Sequence, residues 1–155
     1  MDIQNCIVIG APPQNIWPLV TELDQIKRWN QSIVSSEAVS TGSVQEGFRS
    51  RLVLREGSRE VEYDEEILVF KSPSTVEVQM SGGSLGKNPM VVRYDLRSDG
   101  DKTNLEQRCT WAPNGLMLRL MAGMIAKSSA KALDENLVQI KRVAEADMRS
   151  AADAN

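Results

Sequence analysis

The candidate functional groups of this sequence are polar side chains that interrupt apolar series on predicted β-strands. Glu65 and Gln107 stand in series that otherwise place apolar residues on one face of a strand, and Tyr63 and Tyr94 carry hydroxyl groups on the same predicted faces. Asn136 interrupts the apolar side of a predicted C-terminal helix in the same way. A buried polar group costs free energy unless it has a hydrogen-bonding partner, so these side chains must contact either one another or a bound molecule.

Acid–base chemistry at these positions is narrowly limited. The sequence contains no histidine, which excludes His-based catalytic triads and His-bearing zinc sites. An enzyme built on this chain would need Glu65, Tyr63 or Tyr94 to transfer the proton, with a pKa shifted by burial. No acid–base pair is evident, so no catalytic residue is assigned. Two structural interpretations stay open: a hydrogen-bond network that only stabilises the fold, and faces misassigned by one residue because of a β-bulge.

The acidic run 60–66 looks like a metal site but has another explanation. The alternation of a strand puts Glu62, Asp64 and Glu66 on the solvent face, opposite the arginines of the preceding strand. We therefore expect cross-strand charge pairs there. The glycine-containing segment 81–88 lacks the spacing of a phosphate-binding loop. The sequence predicts neither a metal site nor a cofactor.

Length, composition and charge bound the class of protein. The chain has 155 residues, of which 41% are hydrophobic and 25% charged, as is ordinary for one globular domain. We expect a single domain over residues 1–148 and a flexible tail over 149–155. The net charge of −3 and the scattered basic residues predict no binding to nucleic acid. Without a membrane-spanning run or the basic region of a signal peptide, and with two cysteines expected to be reduced, the protein is predicted to be cytoplasmic.

Hydrophobic periodicity predicts the order of the elements. A strand over 3–9 is followed by a short helix that begins at Pro13, and by a second short helix that has Asp24 as its N-cap and extends to Trp29. Six further strands follow, and the segment 81–86 between two of them is expected to be a flexible loop. Because hairpins dominate, the sheet is predicted to be antiparallel with seven strands. On the strand that contains Glu65, alternation places Val69 on the face of Glu65 and Phe70 on the opposite face.

One long C-terminal helix is predicted to cover this sheet. It extends from Asn114, as N-cap, to about Ala146, because this stretch has no proline and little glycine. Its later turns are amphipathic, but its start is apolar almost all round, with Met117, Met121 and Met124 among leucines. An all-round apolar segment must be covered on more than one side. Ordinary core packing, a contact between two copies in a homodimer and a membrane-docking patch all remain open.

The order of elements resembles the Bet v 1/START-like superfamily, and within it the polyketide cyclase/dehydrase and lipid-transport group. The segment 7–17 is similar to the first strand, Ala-Pro turn and first helix of that family. Leu23, Asp24 and Trp29 are similar to its short second helix, and the segment 114–141 is similar to its closing helix. The resemblance covers nearly the whole chain but carries no shared catalytic motif.

The resemblance implies an α+β helix-grip fold, in which a curved seven-stranded antiparallel sheet wraps around the long helix and leaves a cavity between them. In such a cavity the inward polar groups would orient the polar end of a ligand, and the flexible methionines at the helix start would line its mouth. The predicted ligand-binding residues are Trp29, Phe48, Leu52, Tyr63, Glu65, Met80, Tyr94, Gln107, Trp111, Met117, Met121, Ile125, Ser129 and Asn136. For each apolar residue among them, plain core packing is the alternative.

Three functions are compatible with these expectations. The first is binding of a hydrophobic small molecule such as a lipid or polyketide, as a carrier or sensor. The second is a cyclase or dehydratase, a lyase or isomerase that would use Glu65, Tyr63 or Tyr94. The third is a protein-interaction module without a ligand, which would act through the apolar helix start, where a homodimer contact is one of the open alternatives. Binding is favoured because no acid–base pair is evident; fold resemblance alone does not assign the function.

Overall fold

Seven antiparallel strands form one open sheet in the order β1-β7-β6-β5-β4-β3-β2. The computed structural model describes residues 1–112 and 114–155, apart from the side chain of Leu118. From β2 to β7, each strand pairs with the next strand along the chain. The first strand, β1, pairs with β7 and forms one edge of the sheet. The predicted seven-stranded antiparallel sheet is confirmed. The strands are β1 (Asp2–Ile9), β2 (Ile33–Ala38), β3 (Arg49–Glu56), β4 (Arg59–Lys71), β5 (Thr75–Gly82), β6 (Gly86–Asp99) and β7 (Lys102–Trp111).

Two short helices and one long helix lie on one side of this sheet. The helix α1 (Pro13–Thr21) begins at a proline, whose missing N–H is not needed in a first turn, and it tolerates Pro18 in its interior. The helix α2 (Leu23–Ile26) follows directly, and α3 (Leu116–Asp153) packs against β1, β7 and α1. No helix among the described residues is long and apolar enough to span a bilayer.

Several predicted helix ends were wrong. Asp24 lies inside α2, whose N-cap is Glu22. Asn114 does not cap α3, whose N-cap is Gly115; the side-chain amide of Asn114 instead donates to Asn88 at 2.6 Å. The helix α3 also continues to Asp153, beyond the predicted end, because its last residues are mostly alanine and other helix-tolerant types.

The expected flexible loop over 81–86 is structured instead. β5 continues to Gly82, a single 3-10 turn covers Gly83–Leu85, and β6 begins at Gly86. Gly83 has a positive φ of 50°, and a Cβ added there would lie 2.6 Å from the ring of Tyr63. The glycine is required by this close approach, which packs the turn onto the sheet.

Bulges bend the sheet and change which side chains face inward. The register shifts between Ile67 and Val69 in β4, and again between Met80 and Gly82 in β5. After the first shift Phe70 turns inward, where its ring meets Trp17 edge-on at a centroid distance of 5.2 Å. The predicted placement of Phe70 on the outer face was therefore wrong, since one extra residue reverses the alternation that follows it.

The solid core occupies one end of the interior. Ile9, Ile16, Val76 and Leu105 have no exposed surface there, and Ile140 from the second half of α3 fills the same space. The core joins α1 and the later turns of α3 to strands β1, β5, β6 and β7. The other end of the interior, over the middle of strands β3 to β6, is not filled in this way.

Candidate functional site

A cavity of about 360 Å³ lies between the middle of the sheet, α2 and the middle of α3. Most of its wall is apolar. Ser32 on the segment after α2 and Ala132 and Glu135 on α3 are exposed lining residues, so they mark where the cavity meets solvent. The predicted binding residues that the structure brings to this wall are Trp29, Phe48, Leu52, Glu65, Met80, Tyr94, Gln107 and Asn136.

Glu65 is a carboxyl group placed inside the cavity wall. It pairs across β3 and β4 with Ser50, whose hydroxyl lies 3.3 Å from the carboxylate oxygen Oε2. The side chain is surrounded by protein yet keeps some surface facing the cavity. Desolvation by burial raises the pKa of Glu65 from 4.5 to about 7, and the hydrogen bond from Ser50 opposes that rise. The carboxyl group is thus poised to gain or lose a proton near neutral pH.

Tyr94 and Gln107 form a second polar pair on the same wall. They stand opposite each other on β6 and β7, and the side-chain nitrogen Nε2 of Gln107 donates to the Tyr94 hydroxyl at 2.8 Å. Burial, together with the nearby charge of Glu65, raises the pKa of Tyr94, so its hydroxyl stays protonated. The side-chain oxygen Oε1 of Gln107 is buried without a hydrogen-bond partner among the described residues. A buried acceptor left unpaired in this way costs free energy.

Tyr63 does not take part in the cavity. Its hydroxyl donates to the Glu56 carboxylate and accepts a hydrogen bond from the backbone N–H of Ser84 at 3.3 Å. Ser84 also donates to Glu56 through its own hydroxyl. Tyr63 therefore fastens the 3-10 turn to the sheet. Its predicted role in ligand binding is not supported, because its hydroxyl is used in this contact and the residue does not line the cavity.

The predicted residues at the start of α3 also lie outside the cavity wall. Met117 is 75% exposed and Met121 41% exposed, while Ile125 and Ser129 are half-buried. The cavity is instead lined from α3 by the turn 132–136. Trp111 is half-buried beyond the cavity, with its indole nitrogen buried and unpaired among the described residues.

Sequence reasoning missed Ser50 and most of the α2 side of the wall. Ser50 stands in the alternating series of β3 between Phe48 and Leu52, so its inward position was readable, and it is buried beside Glu65. Leu23 and Ile26 also line the cavity. No sequence pattern marks these two, since their contact depends on how α2 folds back over the sheet.

Polar contacts fix α3 along its later turns. The side-chain amide of Asn5 donates to the backbone oxygen of Ala130 at 3.1 Å and to Asp134 at 2.8 Å. The backbone N–H of Gly10 donates to Glu145 at 2.9 Å. Near the end of α3, Arg28 and Asp147 form a two-pronged ion pair at 2.7 and 2.8 Å, which lowers the pKa of Asp147. Among the described residues, every such contact of α3 with α1–α2 or the sheet involves Ala130 or a later residue.

The acidic run on β4 forms charge pairs on the outer face of the sheet, as predicted for Glu62 and Asp64. Glu66 stands opposite Arg49 in the register, but it forms no ion pair among the described residues. The guanidinium group of Arg51 lies 3.2 Å from Asp64 and 3.4 Å from Glu62, and Arg55 lies 3.7 Å from Glu60. These side chains are largely exposed, so each pair contributes little to stability. They face away from the cavity and take no part in its chemistry.

Comparison with protein families and with curated proteins gives one match. The family model described as polyketide cyclase / dehydrase and lipid transport matches residues 2–145. No curated protein matches the sequence significantly.

Solved structures share the fold of this chain at low sequence identity. TTHA0849 from Thermus thermophilus is 16% identical with a TM-score of 0.76, and the match covers 95% of this chain and 99% of that one. The Zhui aromatase/cyclase from Streptomyces sp. R1128 is 13% identical with a TM-score of 0.75, covering 97% of both chains. Ara h 8.0201 is 12% identical with a TM-score of 0.73, covering 94% of this chain and 98% of that one. These likenesses confirm the helix-grip fold.

Proposed function

The chain belongs to the polyketide cyclase / dehydrase and lipid transport family, and on that premise we propose that it holds a hydrophobic small molecule in its cavity as a carrier or sensor. The observation that carries this proposal is a largely apolar cavity of about 360 Å³ with a few polar groups on one wall. Pockets for small molecules have this composition, and this volume is at the lower end of their range.

Native mass spectrometry tests the proposal directly. Protein purified from its own cell without detergent is expected to carry a small molecule that extraction with organic solvent releases. Val78 lines the cavity, and Val78→Phe should place a ring in the space the molecule occupies, so the adduct should be lost from this variant. An adduct that persists at full occupancy in Val78→Phe would place the molecule elsewhere and contradict the proposal.

One observation favours a second function, catalysis by a cyclase or dehydratase. Glu65 faces the cavity, and burial brings its pKa to about 7, which suits a group that donates and accepts protons near neutral pH. One structural neighbour is named as an aromatase/cyclase. Turnover of an aromatic polyketide intermediate that is lost in Glu65→Gln would establish this function; binding without turnover would leave the chain a carrier.

We also propose that the protein acts in the cytoplasm without a nucleic-acid partner and pairs with a second copy through the start of α3. Leu116, Met117 and Leu120 are each more than 70% exposed there, an apolar surface that association would cover. A concentration-dependent increase in mass by light scattering, absent in Leu120→Glu, is the expected result. A stable complex with another protein that survives Val78→Phe would favour the interaction module instead.

A further inference from the structure

The charged side chains that line the cavity are all acidic. Among the described residues, the lining includes Glu65 and Glu135 but neither a lysine nor an arginine. Glu135 lies at the exposed rim, where Lys131 approaches its carboxylate to 4.0 Å. Glu65 is therefore the acidic group that a ligand meets inside the cavity, and it carries its charge above about pH 7. A carboxylate or phosphate placed there would lose its water, find no positive partner and face a carboxyl group of the same sign.

The polar groups of the wall are suited to a partner that donates hydrogen bonds. Within the part of the chain that the structure describes, the Glu65 carboxyl has a single neighbour that donates to it, the hydroxyl of Ser50, and that contact is long at 3.3 Å. The Tyr94 hydroxyl oxygen already accepts from Gln107, and the Oε1 atom of Gln107 is an acceptor without a partner among the described residues. Glu65 and Gln107 thus leave acceptor oxygens unused, and the proton of the Tyr94 hydroxyl has no acceptor among the described residues. A hydroxyl group, which both donates and accepts, suits this set.

The side chains beside Glu65 on the sheet are apolar and would contact the hydrocarbon part of a ligand. Met80 and Met90 lie beside Glu65 along the same row of the sheet, and Ile67, Val78 and Val92 form the next row. These side chains offer no polar contact other than weak ones to sulfur. The cavity therefore combines a polar cluster on the sheet with apolar rows beside it, while Thr21, Asn30, Ser32 and Asn136 add polar groups on the helical side.

We infer that the cavity selects an uncharged hydrophobic ligand that carries a hydroxyl group, an alcohol or a phenol, over ligands that end in a carboxylate or phosphate. This inference rests on the proposed binding function and names its ligand class. The hydroxyl donates to the Glu65 carboxyl, and the hydrocarbon body packs against the methionine and valine side chains.

A series of ligands on one ring system tests the inference with the unmodified protein. Naphthol offers a hydroxyl donor, methoxynaphthalene keeps the oxygen without its proton, and naphthoate is an anion. The titrations are made at pH 8, where Glu65 is mostly ionised. In isothermal titration calorimetry, naphthol should bind most tightly and methoxynaphthalene roughly 3–10-fold more weakly, the difference one hydrogen bond makes. Naphthoate should bind more than about tenfold more weakly than naphthol because its charge is desolvated without a partner.

Two variants separate the charge from the shape of the cavity. Glu65→Gln removes the negative charge at nearly constant volume, so the preference for naphthol over naphthoate should fall by about tenfold, a difference of roughly 1.4 kcal/mol. Met80→Leu changes a neighbouring lining residue at similar volume without touching a polar group, and it should leave the preference unchanged. Thermal unfolding of each variant checks that it is folded.

The outcomes distinguish the inference from the function on which it rests. Naphthoate that binds the unmodified protein as tightly as naphthol would overturn the inference while supporting a binding function. A preference that survives Glu65→Gln unchanged would also overturn it, because the charge would then not be its cause. Absence of binding by all three compounds would contradict the proposed function itself.

Discussion

At the scale of the residue, Glu65 shows how far a face pattern can locate a functional group. A single carboxyl in an apolar series predicted a buried, partnered acid, and the structure places Glu65 in the cavity wall beside Ser50. The same pattern placed Tyr63 on that face, but its hydroxyl is taken by Glu56 and Ser84. Alternation gives the direction of the Cβ atom; it does not give the position of a ring hydroxyl several bonds further out.

The stability of the protein should depend on pH through Glu65. The ordinary pKa of a glutamate, 4.5, applies to the unfolded chain, and burial raises the pKa of Glu65 to about 7 in the fold. Between these two pH values the folded protein binds the Glu65 proton while the unfolded chain has released it. The contribution of this group to the free energy of unfolding therefore decreases as pH rises through that window, by at most about 1.4 kcal/mol per pH unit. It is lowest above about pH 7.

Glu65→Gln should remove this dependence. As pH rises from about 5 to about 8, the unmodified protein should lose a few kcal/mol of stability that the variant keeps. The melting temperature of the variant should therefore rise relative to that of the unmodified protein, by roughly 5–10 °C at the upper end of this range. Met80→Leu, which has no titrating group, should follow the unmodified protein at every pH. Parallel curves for the unmodified protein and Glu65→Gln would show that the carboxyl is solvated in the fold.

At the scale of the element, strands were more predictable than helix ends. A strand pattern repeats over every pair of residues, so each of the seven strands was found, although the bulge after Ile67 reversed the faces beyond it. A helix end depends on single residues. Asp24 and Asn114 are good N-cap types, yet the chain starts its helices at Leu23 and Leu116 because packing overrides a preference of about 1 kcal/mol.

The 3-10 turn between β5 and β6 supports a matched pair of substitutions. Gly83→Ala and Gly100→Ala both place a side chain at positive φ, 50° and 63°, at a cost of about 1 kcal/mol or somewhat more. The new Cβ at Gly100 meets nothing within 4 Å, whereas the one at Gly83 would lie 2.6 Å from the Tyr63 ring. We expect Gly83→Ala to lose about 1–3 kcal/mol more than Gly100→Ala in urea unfolding. Equal losses would mean that Tyr63 moves aside freely.

At the scale of the whole molecule, the interior has a solid end and a hollow end. The resemblance to a known family supplied this division, and the hydrophobic pattern alone does not, since lining residues and core residues are equally apolar. Val76 and Val78 illustrate the point. They share one face of β5, two residues apart, yet Val76 is fully buried in the core and Val78 lines the cavity.

These two valines allow the division to be measured. Val78→Phe adds volume where space exists, so the free energy of unfolding should change by less than about 1 kcal/mol, whereas Val76→Phe overpacks the core and should lose about 1–3 kcal/mol or more. Chemical denaturation of both variants gives the comparison. A loss at Val78 as large as the loss at Val76 would mean that the interior is filled throughout.

The attachment of α3 has a mechanical consequence. Polar contacts with Asn5, Gly10 and Arg28 hold the helix from Ala130 onward. Its first turns have no polar contact with the sheet among the described residues. Displacement of such a helix is greatest at its unsupported end. The cavity meets solvent beside Ala132 and Glu135, where the fixed part of the helix begins. A guest molecule that enters there leaves every strand pairing intact, so its exchange does not require global unfolding. A rigid sheet and a quickly exchanging guest are therefore compatible in one small protein.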